Sequence, residues 1–341
     1  MIPEKIKICV ISFDNWNYDK EIVMALNRRN IVATHINFGK YKHKTIFERL
    51  ENTFSKVFFN KNPKHFKRQD QIIEKLKNLG VQDQILVLNP DLIDLEYHYL
   101  IKKQTKRYIA YLYDSVTRSM LPIEHLLKGI FDTIYSFDKE DAEKHNFIKT
   151  NNYIYSKKQP IEVNEIFETQ VLNISSFDKR FATLNRIANK LSDLNLNFTF
   201  ILVSKNIKFK LLNYNLKRFF DKNKYQRINP KIKFQSKKIS LKNLKRYYQK
   251  TLVMLDLVQE NQTGLSFRIF ESLSLQKKII TDNVTIKEYS FYNPNNILVL
   301  DSENLDLDIS FFEKPYEPID EKIYNDYTIN AWVEKIFELE K

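Results

Sequence analysis

Residues 251–283 read TLVMLDLVQENQTGLSFRIFESLSLQKKIITDN, and the division of that stretch decides the fold of the chain. An apolar run, Leu252 to Val258, is too short for a helix of ordinary length and has the composition of a buried strand. A polar loop follows, Gln259 to Thr263, and then Gly264, one of only four glycines in the chain. The segment Phe267 to Leu275 repeats its apolar residues at helical spacing. A second short apolar run, Ile279 and Ile280, stops at Asp282-Asn283. Strand, loop, helix, strand is the repeating unit of an open parallel sheet. In such sheets ligands lie beyond the carboxyl ends of the strands, against helix N-termini, where unpaired backbone N–H groups attract anions. The loop from Gln259 to Ser266 occupies that position.

The same alternation extends in both directions. Upstream, Ile6–Ser12, Ile31–Phe38, Gln84–Leu88, Tyr108–Leu112 and Phe131–Ser136 are strand candidates, separated by helical segments at Lys20–Asn30, within Lys44–Leu79, at Ile93–Lys103 and at Pro122–Lys128. A polar stretch, Ser156 to Glu165, reads as a linker. Beyond it come a weak strand (Val171–Ile174), a helix (Phe177–Leu191), a clear strand (Asn197–Val203), a basic helix (Leu211–Asp221), a short strand (Ile232–Phe234) and a helix (Leu241–Gln249). After residue 283 the pattern predicts a last strand at Ile297–Leu300 and one amphipathic helix over Ile323–Leu339. At 341 residues the chain exceeds one typical core, so two α/β domains are expected. The divisions are 1–160 for a first doubly wound, Rossmann-like domain, 161–316 for a second, and 317–341 for a terminal helix returning to the first.

Several function classes are disfavoured. The first strand is not followed by G-x-G-x-x-G, so a dinucleotide pyrophosphate cannot approach its turn, and no P-loop pattern occurs. The six histidines show no ligand spacing with cysteine or aspartate, so no metal is expected. The pair Asp306 and Asp308 falls in a late acidic loop rather than after a central strand. No stretch reaches the length of a membrane-spanning helix, and the N-terminus runs directly into a strand without a signal peptide's apolar region. A single cysteine, Cys9, excludes an intramolecular disulfide and fits a reducing compartment, so a cytoplasmic protein is expected.

The net charge of +13 admits three partners, namely nucleic acid, an anionic membrane surface or an anionic small substrate. It also fits a plain solvated surface in a chain rich in Lys, Asn and Ile. Basic clusters in the first half, interleaved with Phe54, Phe58, Phe59 and Phe66, suit peripheral seating on anionic lipid, although helix core is the other use of such aromatics.

The segments KIKFQSKKIS, LKNLKRYYQK, TLVMLDLV, QENQTGLSFRIFESL and QKKIITDN, from Lys231 to Asn283, resemble the donor-binding half of GT-B glycosyltransferases. RYIAYLYDSVTR and FDTIYSFDKEDAEKHNF in the first half are similar to bacterial enzymes of capsule and lipopolysaccharide synthesis. The resemblance implies an α/β, GT-B architecture, with two Rossmann-like domains facing a cleft. It further implies a nucleotide-sugar as co-substrate, no metal or other cofactor, and a glycan or lipid-linked acceptor. In the common retaining families a Glu, seven further residues and a second Glu mark the donor site. Glu271 matches the second, which implies a hydrogen bond to the donor ribose, whereas Thr263 stands at the first.

The chemistry requires a cradle for diphosphate. Backbone N–H groups at a helix start plus one guanidinium neutralise it, and Gln262, Thr263, Gly264, Ser266 and Arg268 supply that set. An intrahelical pair of Arg268 with Glu271 is the competing reading. Ser204 and Lys205 end a strand in the same domain, Arg180 is a further phosphate candidate, and Phe234 stands where it can wall the base. On the acceptor side, Asp14 and Asp114 follow strand ends as general-base candidates, with turn or helix capping as the alternative. Asp138 is expected to cap. Stereochemistry stays open. A sugar-nucleotide epimerase of the same fold, and a basic nucleic-acid-binding protein, are the rival functions.

Overall fold

The computed structural model describes residues 5–14, 18–40, 45–47, 63–116, 128–161, 167–301 and 304–339. The helix expected at Pro122–Lys128 and the aromatics Phe54, Phe58 and Phe59 lie outside the described residues. The chain forms two compact units, one of residues 1–151 with 328–341, the other of residues 152–327.

The first unit holds strands β1 (Lys7–Ser12), β2 (Val32–Asn37), β3 (Gln82–Leu88), β4 (Thr105–Leu112), β5 (Thr133–Ser136) and β6 (Ile148–Lys149). They pair in parallel in the order β2-β1-β3-β4-β5-β6. Ile8, Cys9, Val10 and Ile11 are fully buried, as both faces of a parallel strand must be when helices cover them. Gly80 ends the helix Pro63–Leu79 at φ +71°, with its N–H on the Leu76 carbonyl, a left-handed C-terminal position that glycine takes without strain.

The second unit holds β7 (Thr169–Ser176), β8 (Phe198–Val203), β9 (Lys233–Gln235), β10 (Thr251–Asp256), β11 (Lys278–Thr281) and β12 (Ile297–Val299). Again all pairs are parallel, in the order β12-β11-β10-β7-β8-β9. The strand expected to be weak, β7, is thus central. Its apolar pattern is broken by Asn173, whose buried side chain donates to the Leu255 carbonyl at 2.9 Å. A polar residue that spends its hydrogen bonds inside the sheet looks like a loop residue in sequence.

Two expectations need correction. The helix predicted from Phe177 starts at Phe181. The Phe177 N–H is taken by the Val203 carbonyl at 3.0 Å, which prolongs the strand-end geometry. The single helix predicted over Ile323–Leu339 is two, Glu321–Asp326 in the second unit and Ile329–Phe337 in the first. At the break, the Tyr327 carbonyl accepts from Ile154 N–H at 2.8 Å, and Thr328 takes an extended conformation ahead of the second helix. Val333, Ile336 and Phe337 are buried, and Trp332 meets Tyr111 edge-on at 5.2 Å.

Candidate functional site

In the second sheet the chain runs outward from β7 through β8 to β9, then returns to build β10, β11 and β12 on the other side of β7. The β7/β10 boundary is therefore the topological switch point, where open α/β sheets bind ligands. The stretch 251–283 contributes one side of it.

Arg268, at the start of the helix Phe267–Ser274, spans this boundary. Its Nη1 meets Asp256 Oδ1 at 2.5 Å at the end of β10, and its Nη2 donates to the Ile174 carbonyl at 2.7 Å on β7. Burial works against the guanidinium charge, but the Asp256 carboxylate overcomes it and holds Arg268 above its ordinary value. Ser266 completes the set. Its hydroxyl donates to Asp256 Oδ2 at 2.8 Å and accepts from the Arg268 N–H at 3.2 Å, which caps the helix. Arg180 makes a second bridge. Its Nη1 donates to the Leu257 carbonyl at 2.9 Å while Nε and Nη2 grip both oxygens of Asp178.

The loop before the helix is held by its carbonyls. Thr263 O accepts from Asn283 Nδ2 at 3.1 Å and from Thr285 Oγ1 at 2.8 Å. Leu265 O accepts from Asn152 Nδ2 at 2.9 Å. In a planar trans peptide the C=O of one residue is antiparallel to the N–H of the next. Pinning these two carbonyls against side chains therefore directs the N–H groups of Gly264 and Ser266 the opposite way. The half-buried Ser266 thus turns its N–H toward the helix N-terminus, whose polarity suits an anion.

The remaining sequence candidates separate. Ser204 follows β8 with its N–H on the Gln235 carbonyl at 3.1 Å, and Lys205 beside it is exposed. Gln262 and Thr263 are half-buried in the loop. The Phe234 ring packs against Phe177 and Phe181, at 5.3 and 5.7 Å, as part of the second core. Glu271 is buried one turn into the helix and accepts the Tyr155 hydroxyl. The intrahelical Arg268–Glu271 pair is not what forms, because each side chain has its own tertiary partner. Asp256, Asp178, Asn283 and Tyr155 were not singled out in the sequence. Asp256 had a signal, an aspartate closing an apolar run, as Asp14 and Asp114 do.

In the first unit Asp14 and Asp114 diverge. Asp114 is exposed. Asp14 is buried just beyond β1, and its backbone carbonyl accepts from Asn37 Nδ2 at 2.9 Å. The buried Asp19 and the half-buried His35 join it, with ligand-type atoms of all three within 4.8 Å of one another. Tyr113 donates to Asp19 Oδ1 at 2.7 Å, and Ser12 Oγ lies 2.8 Å from His35 Nε2. Burial, reinforced by Asp14, pushes the Asp19 carboxyl up to about 7 against the Tyr113 and Ser12 hydrogen bonds. This is the one trio among the described residues spaced closely enough to hold a metal ion, a grouping invisible to sequence spacing because Asp19 and His35 sit on different elements. Asp138 caps its helix as expected, accepting from Asp141 N–H at 3.2 Å.

No protein-family profile matches the chain, and no curated protein matches it by sequence. Solved structures do. A UDP-forming α,α-trehalose-phosphate synthase from Burkholderia xenovorans is similar over 98% of both chains, with 11% identity and a TM-score of 0.57. An α-glucosyltransferase solved with UDP and DNA is similar over 97% of this chain and 96% of its own, with 12% identity and a TM-score of 0.54. A UDP-GlcNAc 2-epimerase from Methanocaldococcus jannaschii is similar over 98% and 100%, with 16% identity and a TM-score of 0.52. The fold is GT-B. Within GT-B, the two six-stranded parallel sheets of this chain correspond to the two Rossmann-like domains.

Proposed function

We propose that this protein is a cytoplasmic glycosyltransferase. In this reading it moves a sugar from a nucleotide-sugar, with UDP as the first nucleotide to test, to a glycan or lipid-linked acceptor in cell-surface polysaccharide synthesis such as capsule or lipopolysaccharide. The observation that carries the reading is the pinned loop Thr263–Ser266 at the β7/β10 switch point, whose amides face away from the groups that hold its carbonyls. A UDP-forming synthase and a glucosyltransferase solved with UDP, both of this fold, support it.

The donor diphosphate lies at the Ser266 amide and the helix start, beside Gly264, with Lys205 and Ser204 at the neighbouring strand end and no metal required. Arg268 and Asp256 act as a strut that fixes the loop, and Arg180 with Asp178 acts likewise. Glu271 receives a ribose hydroxyl beside Tyr155. On the acceptor side, Asp14 takes the proton of the attacking hydroxyl. The acceptor oxygen bonds to the anomeric carbon as the bond from that carbon to the diphosphate oxygen breaks, and the nucleoside diphosphate leaves with the electron pair. Burial, reinforced by Asp14, pushes the neighbouring Asp19 carboxyl up to about 7, so Asp19 retains its proton more readily than an exposed carboxyl does. Nucleic acid is not a partner in this reading.

Thermal unfolding with UDP, GDP and CMP tests the donor site, since a ligand that binds only the folded chain raises Tm. One nucleotide is expected to raise it, and failure of all three sinks the reading. The epimerase-like neighbour supports a second function, sugar-nucleotide epimerisation. Incubation with nucleotide-sugar alone distinguishes them, because an epimerase changes the sugar without an acceptor.

A further inference from the structure

The helix Ile207–Phe220 has two apolar faces, of which the second unit buries one. At roughly 100° per residue, Ile207, Leu211, Tyr214 and Arg218 line one side. Tyr214 is buried, and Leu211 packs on the core formed with Phe181 and Ile232. The opposite side carries Phe209, Leu212, Leu216, Phe219 and Phe220, exposed by 63, 59, 53, 78 and 84% respectively. Their spacing makes one continuous stripe, where a helix on a soluble domain ordinarily turns charged residues to water. Five large apolar side chains in one row form the kind of patch that marks an interaction surface.

Within the helix the charge has a single sign, and one exposed carboxylate, Asp221, follows its end. From Ile207 to Phe220 there is no acidic residue, while Lys208, Lys210, Lys217 and Arg218 are basic. Lys210 is turned inward, with its ammonium over the Phe177 ring and donating to the Phe177 carbonyl. Lys208 borders the stripe on one flank and Lys217 on the other; exposed Lys222 and Lys224 follow the end of the helix, and the Lys217 and Lys224 ammonium groups lie over the Tyr225 ring.

We propose that this stripe docks the second unit on an anionic lipid surface. The phenyl and isobutyl groups enter at headgroup depth, and the flanking lysines meet lipid phosphates. A second copy of the chain fits less well, because a two-fold contact through this helix brings lysine against lysine. The stripe itself carries no carboxylate to specify a folded partner, and a fluid anionic surface needs none. The inference stands on this helix alone and does not depend on the transferase reading.

The test is flotation of the full chain, without donor or acceptor, with vesicles of phosphatidylcholine alone and of phosphatidylcholine mixed with phosphatidylglycerol. The wild type is expected to float with the mixed vesicles and to be released by high salt. Phe219→Ser combined with Phe220→Ser is expected to lower the bound fraction at least tenfold, and Lys208→Glu combined with Lys217→Glu to abolish the preference for anionic lipid. Both pairs are solvent-exposed, so unchanged circular dichroism and Tm confirm that folding is intact. Wild-type protein that stays with neither vesicle overturns the proposal, as does a Phe pair variant that binds like wild type. A concentration-dependent dimer, or binding to an RNA oligonucleotide, that the Phe pair removes while vesicle binding persists also overturns it.

Discussion

Arg268 and Asp256 form an ion pair, with Nη1 and Oδ1 2.5 Å apart, that fastens the start of the helix Phe267–Ser274 to the end of β10. The two side chains are only 18% and 7% exposed. Removing one partner strands a charge in a poorly solvated place, which costs about 3–5 kcal/mol. Arg268→Ala and Asp256→Ala should each lower the unfolding free energy by that order, and the double variant should lose less than the sum. A double-mutant cycle by urea denaturation measures the coupling. Additive losses would show that the two residues do not act as one strut.

Asp19 gives the first unit a pH dependence. Its folded carboxyl titrates near 7, raised first by burial and then by Asp14, against about 3.9 in an unfolded chain. The folded state therefore binds more protons than the unfolded one between those values, so stability falls as pH rises from about 4 through 7. Asp19→Asn, which keeps an acceptor for Tyr113, should remove that decline. Its Tm should exceed the wild type's at pH 8 and match it near pH 4. A wild type whose stability rises across the same range contradicts the assignment.

Glu271 and Tyr155 separate two roles. The tyrosine hydroxyl donates to the Glu271 carboxylate, so Tyr155→Phe should cost about 1.5–3 kcal/mol, the range for a hydrogen bond to a charged group. With Glu271 also receiving the donor ribose, Glu271→Gln should weaken nucleotide binding about tenfold, equivalent to about 1.4 kcal/mol, with a smaller loss of stability. Calorimetric titration with UDP, paired with thermal unfolding, resolves the two effects. Equal effects of both variants on binding would remove Glu271 from the ribose site.

Chelation tests the trio in the first unit. Asp14, Asp19 and His35 bring ligand-type atoms within 4.8 Å of one another, whereas the donor chemistry proposed here neutralises diphosphate with amides and lysine. Transfer measured after EDTA treatment should equal that of untreated protein. If activity disappears and Mn²⁺ restores it, the trio becomes the metal site to mutate.

Cys9 should be chemically silent. It is fully buried in β1, and burial pushes its thiol up to about 12, so thiolate is scarce at neutral pH. A thiol-reactive dye should label it only after denaturation. Rapid labelling of the native protein would mean that β1 opens far more readily than its packing allows.

How far sequence carries is visible in particular residues. Continuous apolar runs such as Lys7–Ser12 and Thr251–Asp256 announce buried parallel strands, because a strand covered on both faces needs no polar side. The alternation of such runs with helical periodicity was enough for two doubly wound sheets, and the loop 259–266 was legible as a strand-to-helix turn at a carboxyl edge. The local sequence also specified the Asp138 cap, whose hydrogen bond reaches only three residues along the chain, whereas Ser266, read as a phosphate ligand, turned out to cap its helix as well.

Tertiary structure decided the rest. The centrality of β7 depends on Asn173 finding the Leu255 carbonyl 82 residues away. The helix break after Asp326 is set by Tyr327 and Thr328, which serve different units. Arg268 looked like a phosphate ligand because of its place in the loop–helix junction, but Asp256 and Ile174, 12 and 94 residues distant, take two of its nitrogens. Asp14, Asp19 and His35 meet only once β1, β2 and the first helix are packed. Local propensity and periodicity act over one or two turns of chain. Which charges pair and which carbonyls are held is fixed by neighbours that only the sheet order brings together.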